Sequence, residues 1–149
     1  MTAVKFIFYA NHSGSTIKKL RAGIARACIQ GGADRQTLMH VVTAVEEAYT
    51  NISRHAYKNK PGKIETGVRA TKKQIVVSLK DWGEPFEPCR VRKRTPDELI
   101  EKKIEGGLGM MMMERLVDKV RFRRADGHNE IILVKNQVKK SKGGKGGRA

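Results

Sequence analysis

Ala44-Val45-Glu46-Glu47-Ala48-Tyr49-Thr50-Asn51-Ile52-Ser53-Arg54-His55-Ala56-Tyr57 carries two patterns at once. At 100° per residue, Leu38, Val41, Val42, Val45, Tyr49, Ile52 and Ala56 fall within roughly 60° of one direction, the apolar stripe of a helix packed on a core. Glu47 points the opposite way, and Asn51 and His55 follow it at i+4 and i+8. The spacing therefore predicts a helix that fills the core with one side and offers an acid, an amide and an imidazole on the other. Taken alone, such a polar side is more often solvated surface than a site.

Upstream, Val4, Phe6 and Phe8 alternate with Lys5, Ile7 and Tyr9, which predicts a strand. Ser13 or Ser15 can cap a following helix that turns Ile17, Leu20, Ile24, Ala27 and Cys28 inward and stops at Gly31-Gly32. Asp34 is placed to cap the long helix. Downstream, Asn59-Lys60-Pro61-Gly62 breaks that helix, because proline lacks the donor and disfavours helical geometry just before it. Ile64, Thr66 and Val68 then alternate, as do Ile75, Val77 and Leu79 after a polar turn, giving a hairpin that delivers Asp81-Trp82-Gly83 at its exit.

Residues 84–105 shift to proline and charge, with the basic cluster Arg90, Arg92, Lys93 and Arg94, and are expected to form a mobile lid, since connections this long tend to be functional or disordered. Gly109 is expected to open a helix running through Asp118, with Met110, Met113, Leu116 and Val117 turned inward. The run of four methionines reads as adaptable core filler. Val120 and Phe122 begin a strand, Asp126-Gly127 supplies hairpin turn chemistry, and Ile131 to Val134, apolar on both faces, should be a central strand. This order predicts an α+β, two-layer sandwich: a mostly antiparallel five-stranded sheet with three helices on one face.

Three motifs in this order are far more specific than any one of them: Glu47 with Asn51, Asp81-Trp82-Gly83, and Gly106-Gly107-Leu108-Gly109. Together they resemble the N box and two glycine boxes of the GHKL ATPase and kinase superfamily, and within it the anti-sigma factor serine/threonine-protein kinases. The resemblance runs from about Phe6 to Lys135 and implies the Bergerat ATP-binding fold. It also implies ATP and Mg²⁺ as cofactors, with Asn51 as the metal ligand, since Mg²⁺ takes hard oxygen ligands and can draw the rest from phosphates and water. Asp81, an acceptor when ionised, suits the exocyclic amino group of adenine, and Gly83 lets the base approach the backbone. Gly106, Gly107, Leu108 and Gly109, just before a helix, can offer backbone N–H groups to phosphate. Asn129 matches a position near the adenine, and His55 is placed near the metal or phosphates, although a structural role fits it as well. Glu47 is the expected catalytic base, which in the kinases activates a substrate serine; Glu46, about 100° round the helix, is the weaker candidate.

The implied function is an ATP-dependent anti-sigma regulatory factor that sequesters a sigma factor and phosphorylates a serine of its anti-anti-sigma (STAS-type) antagonist, with a homodimer left open. Glu105 departs from the pattern, because family kinases often carry an arginine just before the second glycine box to meet the γ-phosphate. That departure keeps a second reading in view: a nucleotide-gated binding module with little phosphotransfer.

The 149 residues, 39% of them hydrophobic, fit one domain over residues 1–136, followed by a disordered basic tail at 137–149. A net charge of +16 points to an acidic partner surface or a polyanion. Against nucleic acid, aromatics are only 5% of residues and no basic stretch is interleaved with them. No secretory signal and no membrane span is expected, and Cys28 and Cys89, without metal-ligand spacing, suit free thiols in the cytoplasm. The glycines lack a following Lys-Ser/Thr, which excludes a P-loop.

Overall fold

The structure is a computed structural model that describes residues 2–10, 14–85 and 107–137. The chain runs β1 (Thr2–Ala10), α1 (Gly14–Gln30), α2 (Arg35–Asn51), a π-helical turn (Ile52–Ala56), β2 (Gly62–Ala70), β3 (Gln74–Asp81), α3 (Gly107–Leu116), β4 (Lys119–Ala125) and β5 (His128–Asn136). The five strands form one sheet in the order β1-β2-β3-β5-β4, and every neighbouring pair is antiparallel. β5 is an interior strand as its apolar residues imply, although the middle place belongs to β3.

Register follows from which residues must be buried. Val68, Val77 and Leu133 stand opposite one another on adjacent strands, and so do Thr66, Leu79 and Ile131, all buried on the face that carries the helices. From α1, Leu20, Ile24, Ala27 and Cys28 enter this core. From α2 come Val41, Val45 and Tyr49, from α3 Met110 and Met113, and from just past its end Val117. Burial of the Cys28 thiol pushes its pKa up to about 11, so it is a packing residue rather than a nucleophile.

The punctuation foreseen in the sequence does its work. Asp34 caps α2, its Oδ1 accepting from Thr37 N at 2.8 Å. Asp126 and Gly127, with φ of 52° and 78°, turn β4 into β5 as a two-residue hairpin. Three boundaries differ from expectation. α3 begins at Gly107 rather than Gly109 and ends at Leu116 rather than Asp118. α2 passes into a π-helical turn after Asn51, with Tyr57 N donating to Ile52 O five residues back. Gln137, assigned to the tail by its sequence, is held by the fold: its Nε2 donates to Gly31 O and Thr71 O, and its N to Lys73 O. Residues 138–149, and all but the first two residues of the lid expected at 84–105, lie outside the described residues.

Candidate functional site

At one end of the sheet, the register sets Ile64, Asp81, Asn129 and Arg124 in a row across β2, β3, β5 and β4. Asp81 is fully buried there. Its Oδ1 accepts from Gly83 N at 3.0 Å and from Asn129 Nδ2 at 2.8 Å, whereas Oδ2 is buried without a hydrogen-bond partner among the described residues. An unpaired carboxylate oxygen in the interior is costly unless a donor arrives. Burial raises the Asp81 pKa above its ordinary value, opposed by the hydrogen bonds from Asn129 and Gly83 and by the charges of Arg124 and His128. The arrangement leaves one acceptor, fixed in direction, whose chemistry suits an N–H donor.

Asn129, 4% exposed, uses both of its amide hydrogens, one on Asp81 Oδ1 and the other on Glu84 O at 3.0 Å. The oxygen of the same carboxamide accepts from Arg124 Nη1 at 3.2 Å, and that nitrogen also donates to Gly83 O at 3.2 Å. Tyr57 closes the same corner: its hydroxyl donates to Lys63 O and accepts from Trp82 N. Its pKa is raised, chiefly by burial. Neither Arg124 nor Tyr57 is named by the motifs, yet Arg124 was reachable. A two-residue turn at Asp126-Gly127 pairs Ala125 with His128 and hence Arg124 with Asn129.

Gly83 also has a structural constraint that its sequence does not announce. A Cβ there would lie 2.5 Å from Ala56 O, because the end of the π-helical turn crosses directly over it and Glu84 N donates to that same carbonyl at 2.9 Å. The glycine lets backbone meet backbone, and this contact ties the α2 end of the site to the β3 end.

On α2, Glu47 is half-buried and makes no ion pair among the described residues. Its neighbour Glu46 is engaged by Arg21 Nε from α1. Asn51 is 5% exposed, more buried than a polar helix side suggests, since α1 and α3 pack on α2 in addition to the sheet. His55, half-buried, lies within the π-helical turn, whose i→i+5 bonding replaces the α-helical repeat that the spacing assumed. Gly107, Leu108 and Gly109 fall inside the first turn of α3, where backbone N–H groups have no intrahelical acceptor, rather than in a loop before it. Gly106 and Glu105 lie outside the described residues.

The chemistry of the corner suits an N–H donor, since Asp81 Oδ2 is a buried acceptor without one among the described residues. Among the described residues no group of three His, Cys, Asp or Glu side chains could hold a metal by themselves. A metal here would have to draw most of its ligands from phosphate and water, which is the habit of Mg²⁺. A separate groove of about 450 Å³, lined by Glu114, Asp118, Lys119 and Arg121 among others, sits at the opposite end of β4 from Arg124 and has no buried acceptor of this kind.

Residues 12–135 match the family described as the histidine kinase-like ATPase domain. A serine-protein kinase RsbW of Oceanobacillus iheyensis is 34% identical over 110 residues, which cover 67% of this chain and 70% of that protein. The serine-protein kinase RsbW of Bacillus subtilis is 31% identical over 115 residues, covering 70% and 72%. Among solved structures, one holding the RsbU and RsbW domains of a Mycobacterium tuberculosis protein superposes with a TM-score of 0.59 at 17% identity, over 91% of this chain and 32% of that longer one. A chain of the SiaB–SiaC complex from Pseudomonas aeruginosa gives 0.54 at 16% identity, over 88% and 89%. At those identities the two structures speak to the fold alone.

Proposed function

The chain belongs to the histidine kinase-like ATPase domain family, and from that premise we propose that it is an ATP-dependent serine kinase working as an anti-sigma regulatory factor. It holds a sigma factor inactive and phosphorylates a serine of the STAS-type protein that opposes it. The observation that carries the reading is the buried, unpartnered Oδ2 of Asp81, held in direction by Gly83 and Asn129. The relatives named serine-protein kinases, which this chain matches over more than two thirds of their length, supply the reaction class.

Each residue has a role suited to its chemistry. Asp81 accepts from the adenine amino group, with Asn129 beside it and Gly83 letting the base approach the backbone. Asn51 supplies one side-chain oxygen to Mg²⁺. Gly107, Leu108 and Gly109 offer N–H groups at the start of α3, where the helix dipole favours phosphate, and Gly106, which precedes them in sequence, is assigned to the same phosphate-binding run. His55 has the chemistry to meet the metal or the phosphates. Glu47 takes the proton of the substrate serine, and it rather than Glu46 is available for this because Glu46 is committed to Arg21. ATP supplies the phosphoryl group; positioning and charge are the protein's contribution.

No helix among the described residues is long and apolar enough to cross a membrane. The proposed place of action is the cytoplasm, where ATP and sigma factors are found. Calorimetric titration tests the reading: Mg·ATP should bind the wild type, and Asn51→Ala should lose most of the gain in affinity that Mg²⁺ brings over EDTA. A wild-type protein that does not bind ATP ends the proposal.

A further inference from the structure

Arg124 is outside every motif, on the edge strand β4, and its side chain is exposed. Nevertheless its Nη1 bridges two pieces of the adenine corner, the Gly83 carbonyl on the β3 exit and the Asn129 carboxamide oxygen on β5, each at 3.2 Å. A carboxamide is nearly symmetric in shape, so only its neighbours decide which end is oxygen and which is NH₂. Here Arg124, which can only donate, demands the oxygen; Asp81 Oδ1 and Glu84 O, which can only accept, demand the NH₂. The three constraints agree, and every hydrogen-bonding position of the Asn129 side chain that they address is filled.

We infer that Arg124 is the positioning residue that gives this site its preference for a 6-amino purine over a 6-oxo purine, acting through Asn129 on Asp81. The inference rests on the nucleotide reading above. With Asn129 locked, its NH₂ occupies Oδ1 of Asp81, and Oδ2 is left as the unpartnered acceptor of this corner among the described residues. Adenine brings a donor at that place and guanine brings an acceptor, so an ionised Asp81 rewards the first and repels the second. Without Arg124 the Asn129 oxygen and the Gly83 carbonyl lose the donor they share, so the amide is held only through its bonds to Asp81 Oδ1 and Glu84 O. The charge that favours the ionised carboxyl is lost with it, and a protonated carboxyl can donate to the guanine oxygen.

The charge of Arg124 works in the same direction. It is one of the influences that hold the Asp81 pKa down against burial, together with His128 on β5; the other titratable group against Asp81 is Tyr57 at the end of the π-helical turn. Removing Arg124 should therefore raise the pH at which ATP binding begins to fail on the acid side. A residue that merely stiffened the hairpin would leave that limb where it is.

The experiment is calorimetric titration of ATP, GTP and inorganic tripolyphosphate, each with Mg²⁺, into wild type, Arg124→Ala and Arg124→Gln across the acid range, with circular dichroism to check each fold. In Arg124→Ala the ATP-to-GTP affinity ratio should fall roughly fivefold to tenfold, about the worth of one polar contact. The acid limb of ATP binding should move to higher pH, and tripolyphosphate affinity should stay unchanged. Arg124→Gln keeps an N–H donor for Asn129 without the charge, so it should recover part of the base preference while its acid limb stays shifted. An unchanged ATP-to-GTP ratio and an unmoved acid limb in folded variants overturn the role of Arg124 and leave the nucleotide site standing. A wild type that binds tripolyphosphate but neither nucleotide overturns both.

Discussion

Replacing Asp81 with asparagine should pull stability and binding in opposite directions. In the wild type, Oδ2 is buried without a partner and burial raises the carboxyl pKa above its ordinary 3.8, so the ionised form is one the fold tolerates rather than favours. The asparagine oxygen can keep the bonds from Gly83 N and Asn129 Nδ2, which places its NH₂ where Oδ2 was. The unliganded fold then loses a buried charge and should hold its stability or gain up to about 1 kcal/mol. For the ligand, the acceptor has become a donor facing a donor, and loss of a hydrogen bond to a charged group, about 1.5–3 kcal/mol, should weaken ATP roughly 10- to 150-fold. The pH dependence sets the sign independently. Because the folded pKa is raised, the Asp81 contribution to stability is full below the ordinary value and is lost as pH rises through the raised one. Urea unfolding of both proteins from acid to neutral pH should therefore show the wild type losing ground to the variant as pH rises, while ATP affinity of the wild type falls as pH drops through the same window. A variant clearly less stable than wild type at neutral pH, or one that binds ATP with wild-type affinity, would refute the reasoning.

Gly83→Ala should destabilise the protein by about 1–3 kcal/mol in urea unfolding, since its Cβ meets the Ala56 carbonyl and backbone cannot step aside cheaply. ATP affinity should fall with it. Native protein treated with iodoacetamide near pH 8 should remain unmodified at Cys28, whose thiol is buried with its pKa raised to about 11, and should become modified there only in denaturant; peptide mass mapping reads the outcome.

Much of the fold was legible because each element announces itself by a period and a stop. Leu20, Ile24, Ala27 and Cys28 spell a helix, Ile64, Thr66 and Val68 a strand, and Asp34 and Asp126-Gly127 their edges. The π-helical turn was hidden for a physical reason: Ile52 and Ala56 are both buried, as an uninterrupted α-helix would also require, so the apolar pattern cannot tell the two windings apart. Burial of Asn51 was hidden too, because an amide on the polar side of a helix gives no sign that other helices will pack beside it. Asp81 and Asn129 were found as separate motif positions; only strand register shows them bonded to each other. The reason for Gly83 lies in a crossing between segments distant in sequence, which no local pattern encodes.

Phosphotransfer itself is the most direct test of the proposed kinase. Wild-type protein and Glu47→Gln would each be given γ-labelled ATP, Mg²⁺ and the STAS-type antagonist, and label on the antagonist's serine would be followed over time. Glutamine keeps the size and hydrogen bonding of Glu47 but cannot take the proton, so transfer should fall roughly 10²-fold or more while ATP affinity stays within about twofold. A wild type that binds both ATP and antagonist yet transfers no phosphate, or a Glu47→Gln protein that transfers at the wild-type rate, would contradict it.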